Sequence, residues 1–77
     1  MFDQLKEIMV SELQLKDSDI KPESRLTKDL GINSLELADL AMVLEEKFDL
    51  EIEDNDIRKF ITVGDIVNYL EASGNRK

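Results

Sequence analysis

The chain has 77 residues, 42% of them hydrophobic, which is enough for one small domain of modest stability. It contains no cysteine and no histidine, and this excludes disulfides, thiolate or imidazole metal sites and the most common general base. The formal charge of -8 is concentrated in residues 34–56, which hold nine acids and one base. Such a field repels nucleic acid and attracts basic proteins.

The sequence contains no stretch that approaches the roughly 20 apolar residues needed to span a bilayer. Its first ten residues, MFDQLKEIMV, carry charges within their apolar pattern, unlike the core of a signal peptide. We therefore expect a cytoplasmic protein without membrane insertion, forming a single monomeric domain over residues 1–77.

Apolar residues at helical spacing predict a first amphipathic helix over residues 2–15, with Phe2, Leu5, Met9 and Leu13 on one face. Residues 16–33 form a long connection, of a length that is usually functional or disordered. Four apolar residues punctuate it, so we expect it to pack onto the core, with a brief turn over residues 26–30. These residues are Ile20, Leu26, Leu30 and Ile32.

A second helix is predicted over residues 34–48. Asn33 is a favourable N-cap, and Glu36 follows at the spacing of a capping box, although the usual cap residue in that motif is Ser or Thr. A short third helix is expected over residues 55–60, with Ile57, Phe60 and Ile61 facing inward. Thr62 then caps a fourth helix over residues 63–72, and residues 72–77 form a frayed tail. The fold class is all-α: a four-helix bundle with three longer helices, a short third helix and a long first loop.

The second helix has more apolar residues than one face needs. Its core-facing residues at helical spacing are Leu37, Leu40, Ala41, Leu44 and Phe48. Further apolar residues point the opposite way, among acids. We call these apolar residues, together with the acids among them, the outer strip. It comprises Leu35, Glu36, Ala38, Asp39, Met42, Glu45 and Glu46. Exposed apolar residues are ordinary on protein surfaces, but an apolar strip ringed by acids also suits docking of a basic partner.

Self-contained catalysis is not expected. A serine nucleophile needs an activating base, and Lys28, the closest lysine upstream of Ser34, is not placed near it by the sequence alone. The acidic segment DLEIEDND lacks the glycine that a calcium loop requires for its sharp turn, so no dedicated metal site is predicted.

Ser34 has two interpretations. It is either a helix-start serine that satisfies backbone amides, or a hydroxyl presented for modification by another protein. The first turn of a helix offers unpaired amides and a dipole that favours negative charge, so it accommodates a phosphate ester well.

The segment LGINSLELADLAMVLEEKFDLEIEDNDI strongly resembles the centre of the acyl carrier proteins, especially the discrete bacterial type that serves fatty acid synthesis. That family has a helix-opening Asp-Ser-Leu motif after a glycine, and an acidic helix ending in Glu-Glu-x-Phe. These features correspond here to Gly31, the triplet 33–35 and the segment 45–48. The resemblance covers nearly the whole chain, including the long first loop and the ITVGDIVNYL ending.

The resemblance implies a non-catalytic carrier. Ser34 would receive 4'-phosphopantetheine from coenzyme A through a magnesium-dependent phosphopantetheinyl transferase (holo-acyl-carrier-protein synthase), and the arm's thiol would hold acyl groups as thioesters. The outer strip would dock basic patches of acyltransferases, ketoacyl synthases, reductases and the dehydratase of fatty acid synthesis. The acyl chain would tuck between the helices, with Ala38 and Ile61 as candidate lining residues.

One departure from the family pattern is Asn33, which stands where the family usually has aspartate. Asparagine caps a helix about as well, but one negative charge beside the attachment site is missing. The alternatives are a carrier for polyketide, aminoacyl or other specialised cargo, and an unmodified acidic helical adaptor that would have no use for a hydroxyl at Ser34.

Overall fold

The computed structural model describes residues 2–74 and contains four α-helices in this range. They are α1 (Phe2–Leu13), α2 (Ser34–Phe48), α3 (Asp54–Arg58) and α4 (Val63–Gly74), with a short 3-10 helix at Asp17–Asp19. Within the same range there is no strand, only an isolated bridge between Arg25 and Thr62. The all-α, four-helix prediction is confirmed.

The core lies between one face of each long helix and the inward residues of the loops. The periodicity of α2 correctly predicted its buried side, since Leu40, Ala41 and Leu44 are buried while Leu37 and Phe48 are partly buried against the core. The buried hydrophobic residues are Leu5, Met9, Ile20, Leu26, Ile32, Leu40, Ala41, Leu44, Ile52, Phe60, Val63, Ile66 and Leu70. Burying each large side chain contributes about 1.5–3 kcal/mol.

The first helix ends at Leu13, two residues earlier than predicted. Gln14 adopts a left-handed backbone conformation with φ of 55°, which stops the helix. Leu15 still packs against the core from beyond the helix end.

The long loop between α1 and α2 packs onto the bundle, as predicted, with Ile20, Leu26 and Ile32 buried. Its turn over residues 26–30 is present, and the amide of Gly31 donates to the Thr27 carbonyl at 3.1 Å. Gly31 itself has φ of +68°, a conformation that favours glycine. The loop is therefore ordered and stays packed against the bundle up to the start of α2.

Backbone hydrogen bonds fasten this loop to the start of α4. Leu26 N–H donates to the Ile61 carbonyl at 2.9 Å, Val63 N–H to the Ser24 carbonyl at 3.0 Å, and Gly64 N–H to the Pro22 carbonyl at 2.8 Å. Buried Ser24 braces the same loop, because its hydroxyl accepts from Lys21 N–H and donates to the Asp19 carbonyl, both at 3.0 Å.

The third helix differs from its prediction. It spans Asp54–Arg58 rather than residues 55–60, and Ile61 is 63% exposed instead of facing inward. Only Phe60 is buried, with Ile57 partly buried. The backbone of Ile61 bonds to the long loop, and this holds its side chain at the surface.

The fourth helix begins as predicted and extends to Gly74, two residues beyond its expected end. The side chains of Thr62 and Asp65 cap its start: Asp65 N–H donates to Thr62 Oγ1 at 3.2 Å, and the Asp65 carboxylate accepts from the amides of Thr62 and Ile61 at 3.0 Å. The predicted fraying of residues 75–77 lies outside the described residues.

Candidate functional site

The start of α2 is held by a complete capping box. Asn33 Oδ1 accepts from Glu36 N–H at 2.8 Å, and Glu36 Oε1 accepts from Asn33 N–H at 3.1 Å. Two amides that the helix leaves unpaired are thus satisfied reciprocally. The box forms with asparagine in place of the usual Ser or Thr, because the amide oxygen supplies the same acceptor.

Ser34 is the first residue of α2 and its side chain is exposed. Its hydroxyl makes no hydrogen bond with any of residues 2–74. The helix start does not use this hydroxyl, which leaves it accessible to solvent and to another protein. The helix dipole at this position favours an anion.

Residues on both sides of Ser34 pack into the protein and anchor the start of α2. Ile32, two residues earlier, is buried, and its amide donates to the Leu26 carbonyl at 2.9 Å. Leu37, three residues later, packs against the core. Ser34 therefore lies at a helix end that is anchored to the core on both sides.

A cleft of about 850 Å³ opens beside Ser34. The long loop, the first turns of α2, and the segment from α3 to Ile61 form its walls. Its apolar lining includes Leu37, Ala38, Ile57, Phe60 and Ile61, and its polar lining comprises Arg25, Thr27, Lys28, Asn33, Ser34, Asp54 and Arg58. Both Ala38 and Ile61, the residues suggested by the family resemblance as cargo neighbours, lie on this cleft.

The structure also brings Lys28 to the cleft that Ser34 lines, which the sequence alone did not place. No hydrogen bond joins Lys28 to the Ser34 hydroxyl. Residues 2–74 contain no group of three or more acidic side chains arranged to hold a metal ion.

Most of the outer strip is exposed along α2, while Glu36 and Glu45 are half-buried. Leu35 is 77% exposed and Met42 62% exposed, and Ala38 and Asp39 also face solvent. Among residues 2–74 the only side-chain ion pair joins Lys6 to Asp17 at 3.0 Å, so the acids of α2 are not neutralised by neighbouring side chains. A shallow groove of about 440 Å³ extends the strip toward α1; its lining adds Glu12 and Leu13 to strip residues such as Asp39 and Glu46.

Two acids of the strip also have structural contacts. Glu36 belongs to the capping box, and Glu45 Oε2 accepts from Ile52 N–H at 2.8 Å. The second contact joins α2 to the connector that precedes α3. Sequence periodicity did not reveal this role, because the two residues lie seven positions apart and outside one helix.

Tyr69 joins α4 to the α3 region. Its hydroxyl lies 3.0 Å from both the Glu51 carbonyl oxygen and Asp56 Oδ2, and its ring contacts Phe60 edge-on with centroids 5.4 Å apart. These contacts support Phe60, which lines the cleft.

None of the helices within residues 2–74 has both the length and the apolar character needed to cross a membrane.

Comparison with known families and proteins relates the chain to one group. Residues 3–70 match the family model described as the phosphopantetheine attachment site. The acyl carrier protein of Wolinella succinogenes is 44% identical over 95% of this chain and 96% of its own length. Those of Campylobacter lari and Helicobacter hepaticus are 44% and 43% identical, over 92% and 94% of this chain and 92% and 95% of their own lengths.

Proposed function

Because the chain belongs to the phosphopantetheine-attachment family, and within it to the acyl carrier proteins, we propose that Ser34 is the residue that receives the phosphopantetheine arm. The chain is a non-catalytic carrier, and its cofactor is covalent 4'-phosphopantetheine. When attached, the arm supplies the thiol that the cysteine-free chain lacks, and acyl groups are held on it as thioesters.

The observation that carries the assignment is the unused hydroxyl of Ser34 at the start of α2. Its neighbours Asn33 and Glu36 satisfy the helix start without it, and its side chain is exposed. In the modification, Ser34 Oγ attacks the pantetheine-bearing phosphorus of coenzyme A. A new P–O bond forms, the adenosine bisphosphate leaves, and the hydroxyl proton passes to a base of the transferase.

The test is intact mass spectrometry after incubation with coenzyme A, magnesium and a phosphopantetheinyl transferase. The wild-type chain should gain one phosphopantetheinyl mass, and Ser34→Ala should gain none. Ser18→Ala is the matched control, because Ser18 is also exposed and should be dispensable. A mass gain that persists in Ser34→Ala would move the attachment to another residue.

The outer strip is the proposed docking surface for the transferase and the acyl-processing enzymes. Its apolar residues Leu35 and Met42 are exposed beside acids, a combination suited to a basic patch with a shallow hydrophobic groove. Attraction between the two charges accelerates encounter at low ionic strength.

Asp39 provides the cleanest test of docking. Its side chain is exposed and makes no hydrogen bond within the described range, whereas the side chains of Glu36 and Glu45 have structural contacts. Asp39→Lys should lower kcat/KM of a partner enzyme about 10-fold or more while leaving the helical circular dichroism unchanged. Asp19→Lys is the control, because Asp19 is also exposed, lies outside the outer strip, and its side chain makes no hydrogen bond or ion pair within the described range. Equal losses in both variants would show that only net charge matters.

We propose that the pathway served is fatty acid synthesis and that the carrier acts as a monomeric domain in the cytoplasm. The acidic α2 and the family resemblance support this choice over polyketide or aminoacyl cargo. The holo protein should be loaded with malonyl groups by a fatty-acid acyltransferase and then elongated by a ketoacyl synthase. Loading only by enzymes of a specialised pathway would reassign the cargo.

Asn33 bears on the choice of transferase. If a transferase pairs a cation with the usual aspartate, Asn33→Asp should raise its modification rate without altering the helix start, since either side chain caps well. An unchanged modification rate with several transferases would show that they do not recognise a negative charge at this position.

A further inference from the structure

The cleft beside Ser34 carries positive charge on a strongly acidic protein. Its lining contains three cations, Arg25, Lys28 and Arg58, and one carboxylate, Asp54. The formal charge of the lining is therefore positive, while that of the whole chain is -8. On α2, immediately outside the cleft, the charged residues next to Ser34 are the acids Glu36 and Asp39.

The three cations come from two walls of the cleft. Arg25 and Lys28 belong to the long loop, and Arg58 ends α3. The backbone fixes the loop wall, since Arg25 forms a bridge with Thr62 and Arg25 N–H donates to Asp29 Oδ2 at 2.8 Å. The fold therefore sets the backbone position of the loop wall from which Arg25 and Lys28 extend.

No carboxylate neutralises these cations within the part of the chain that the structure describes. The ion pair between Lys6 and Asp17 lies elsewhere, and Asp54, though on the same cleft, is not within 4 Å of Arg58 in a salt bridge. The cleft thus offers three charged donors for an anion that the chain itself does not supply.

We propose that Arg25, Lys28 and Arg58 form a cationic rim that binds the phosphodiester of the arm on Ser34. The inference rests on the proposed function, which places a singly charged phosphodiester on Ser34, a residue that lines the same cleft. The acids of α2 repel this anion and the rim attracts it. The two arginines add a planar donor geometry that suits phosphate oxygens.

The consequence is a directed arm. The phosphodiester is drawn toward the cleft and away from the outer strip, so the docking residues Leu35, Asp39 and Met42 stay uncovered. The pantetheine then begins above the apolar lining of Leu37 and Ile61, where an acyl group gains by burial.

The test compares the folding equilibrium of the apo and holo proteins by urea unfolding. At low salt we expect attachment to raise the folding equilibrium constant on the order of 3-fold to 10-fold, the scale of a few partly exposed ion pairs. The gain should fall toward none at 1 M salt, where the Debye length is about 3 Å. In the triple variant Arg25→Gln/Lys28→Gln/Arg58→Gln the salt-sensitive gain should be lost.

A matched control removes the same number of charges elsewhere. The triple variant Lys16→Gln/Lys21→Gln/Lys47→Gln alters three exposed lysines that do not line the cleft, and its apo-to-holo gain should remain. Equal gains in the rim variant and this control would overturn the proposal.

Phosphorus NMR of the holo protein provides a second readout that is independent of stability. The phosphodiester resonance should differ between folded and urea-unfolded wild type. In the folded rim variant it should move toward the unfolded position, whereas in the lysine control it should not. A phosphodiester chemical shift that is unchanged by the rim substitutions contradicts the proposal.

The anion could instead be a carboxylate carried by the cargo, so three holo forms are compared. The free-thiol and butyryl forms carry only the phosphodiester, and the succinyl form adds a carboxylate on an acyl group of the same carbon number. The proposal requires the salt-sensitive gain in the free-thiol form. A gain confined to the succinyl form overturns it and assigns the rim to acidic cargo.

Intact mass spectrometry distinguishes a failure of the Ser34 assignment from a failure of the cationic rim alone. Absence of a mass gain in the wild type refutes the Ser34 assignment and the rim together. A complete mass gain without any rim effect leaves the carrier function in place and refutes the rim alone.

Discussion

Replacing Asn33 with alanine should destabilise the protein by about 1 kcal/mol, whereas Ser34→Ala should change its stability by less than about 0.5 kcal/mol. The structure gives the reason. Asn33 Oδ1 is the acceptor for Glu36 N–H at 2.8 Å, and alanine leaves that amide without a protein acceptor. The Ser34 hydroxyl has no such role within residues 2–74, and alanine is the better helix former at its position.

The magnitude is measurable in a chain of this size. For a domain of 60–100 residues, 1 kcal/mol corresponds to a change of about 4–8 °C in Tm. Urea unfolding followed by far-UV circular dichroism gives the free energy directly, with the midpoint read at constant slope. Asn33→Asp is the matched control, because a carboxylate keeps the acceptor and suits the helix dipole.

The reasoning fails if Ser34→Ala is as destabilising as Asn33→Ala. The hydroxyl would then serve the helix start, and its accessibility would no longer argue for modification. It also fails if Asn33→Ala is neutral, since the capping box would contribute nothing. A double variant with Glu36→Ala refines the result: the two halves of one box should give a combined loss that differs from the sum of the single losses.

Three further predictions follow from other parts of the structure. The uncompensated acids of residues 34–56 repel one another, so added salt or magnesium should raise the Tm of the apo protein, and an unchanged Tm in both would contradict that repulsion. Gly64→Ala should destabilise by about 1–2 kcal/mol, because the added Cβ would lie 3.0 Å from the Pro22 carbonyl oxygen; wild-type stability in urea unfolding would mean that the loop yields. The Asp65 carboxylate has its pKa lowered by hydrogen bonds from the amides of Thr62 and Ile61, so its contribution is complete above about pH 5 and is lost as the pH falls through the lowered folded pKa. The free energy of unfolding should therefore fall less steeply with decreasing pH in Asp65→Asn than in the wild type. An identical pH dependence in both proteins would refute this.

The two salt effects have opposite signs and can be separated. Salt raises the stability of the apo protein by screening repulsion among acids, but it reduces the difference between holo and apo by screening the cationic rim. Measuring both forms at each salt concentration isolates the second effect.

Local patterns determined much of this protein. The helical period was long enough in α1, α2 and α4 to give each helix and its buried face. The N-terminal end of α2 followed from Asn33 and Glu36, because a capping box is complete within four residues. The exposure of Leu35 and Met42 followed from the same period. Ser34 and its acidic surroundings were therefore evident before the fold was known.

Tertiary structure decided what depends on distant segments. Ile61 is exposed, contrary to its apolar character, because its carbonyl accepts from Leu26 N–H in the long loop. The helix end at Gln14 depends on a left-handed conformation that no glycine marks in the sequence. Neither feature has a periodic signal.

The cleft is the clearest case of this difference. Arg25 and Lys28 precede Ser34 by several residues, and Arg58 follows it by more than twenty, so only the folded chain brings them to one surface. The sequence determined that Ser34 begins a helix, and the structure shows that its hydroxyl is not used at the helix start. The packing of the long loop against the start of α4 determined that Ser34 lies on a positively charged cleft, because backbone hydrogen bonds between segments leave no pattern in either segment alone.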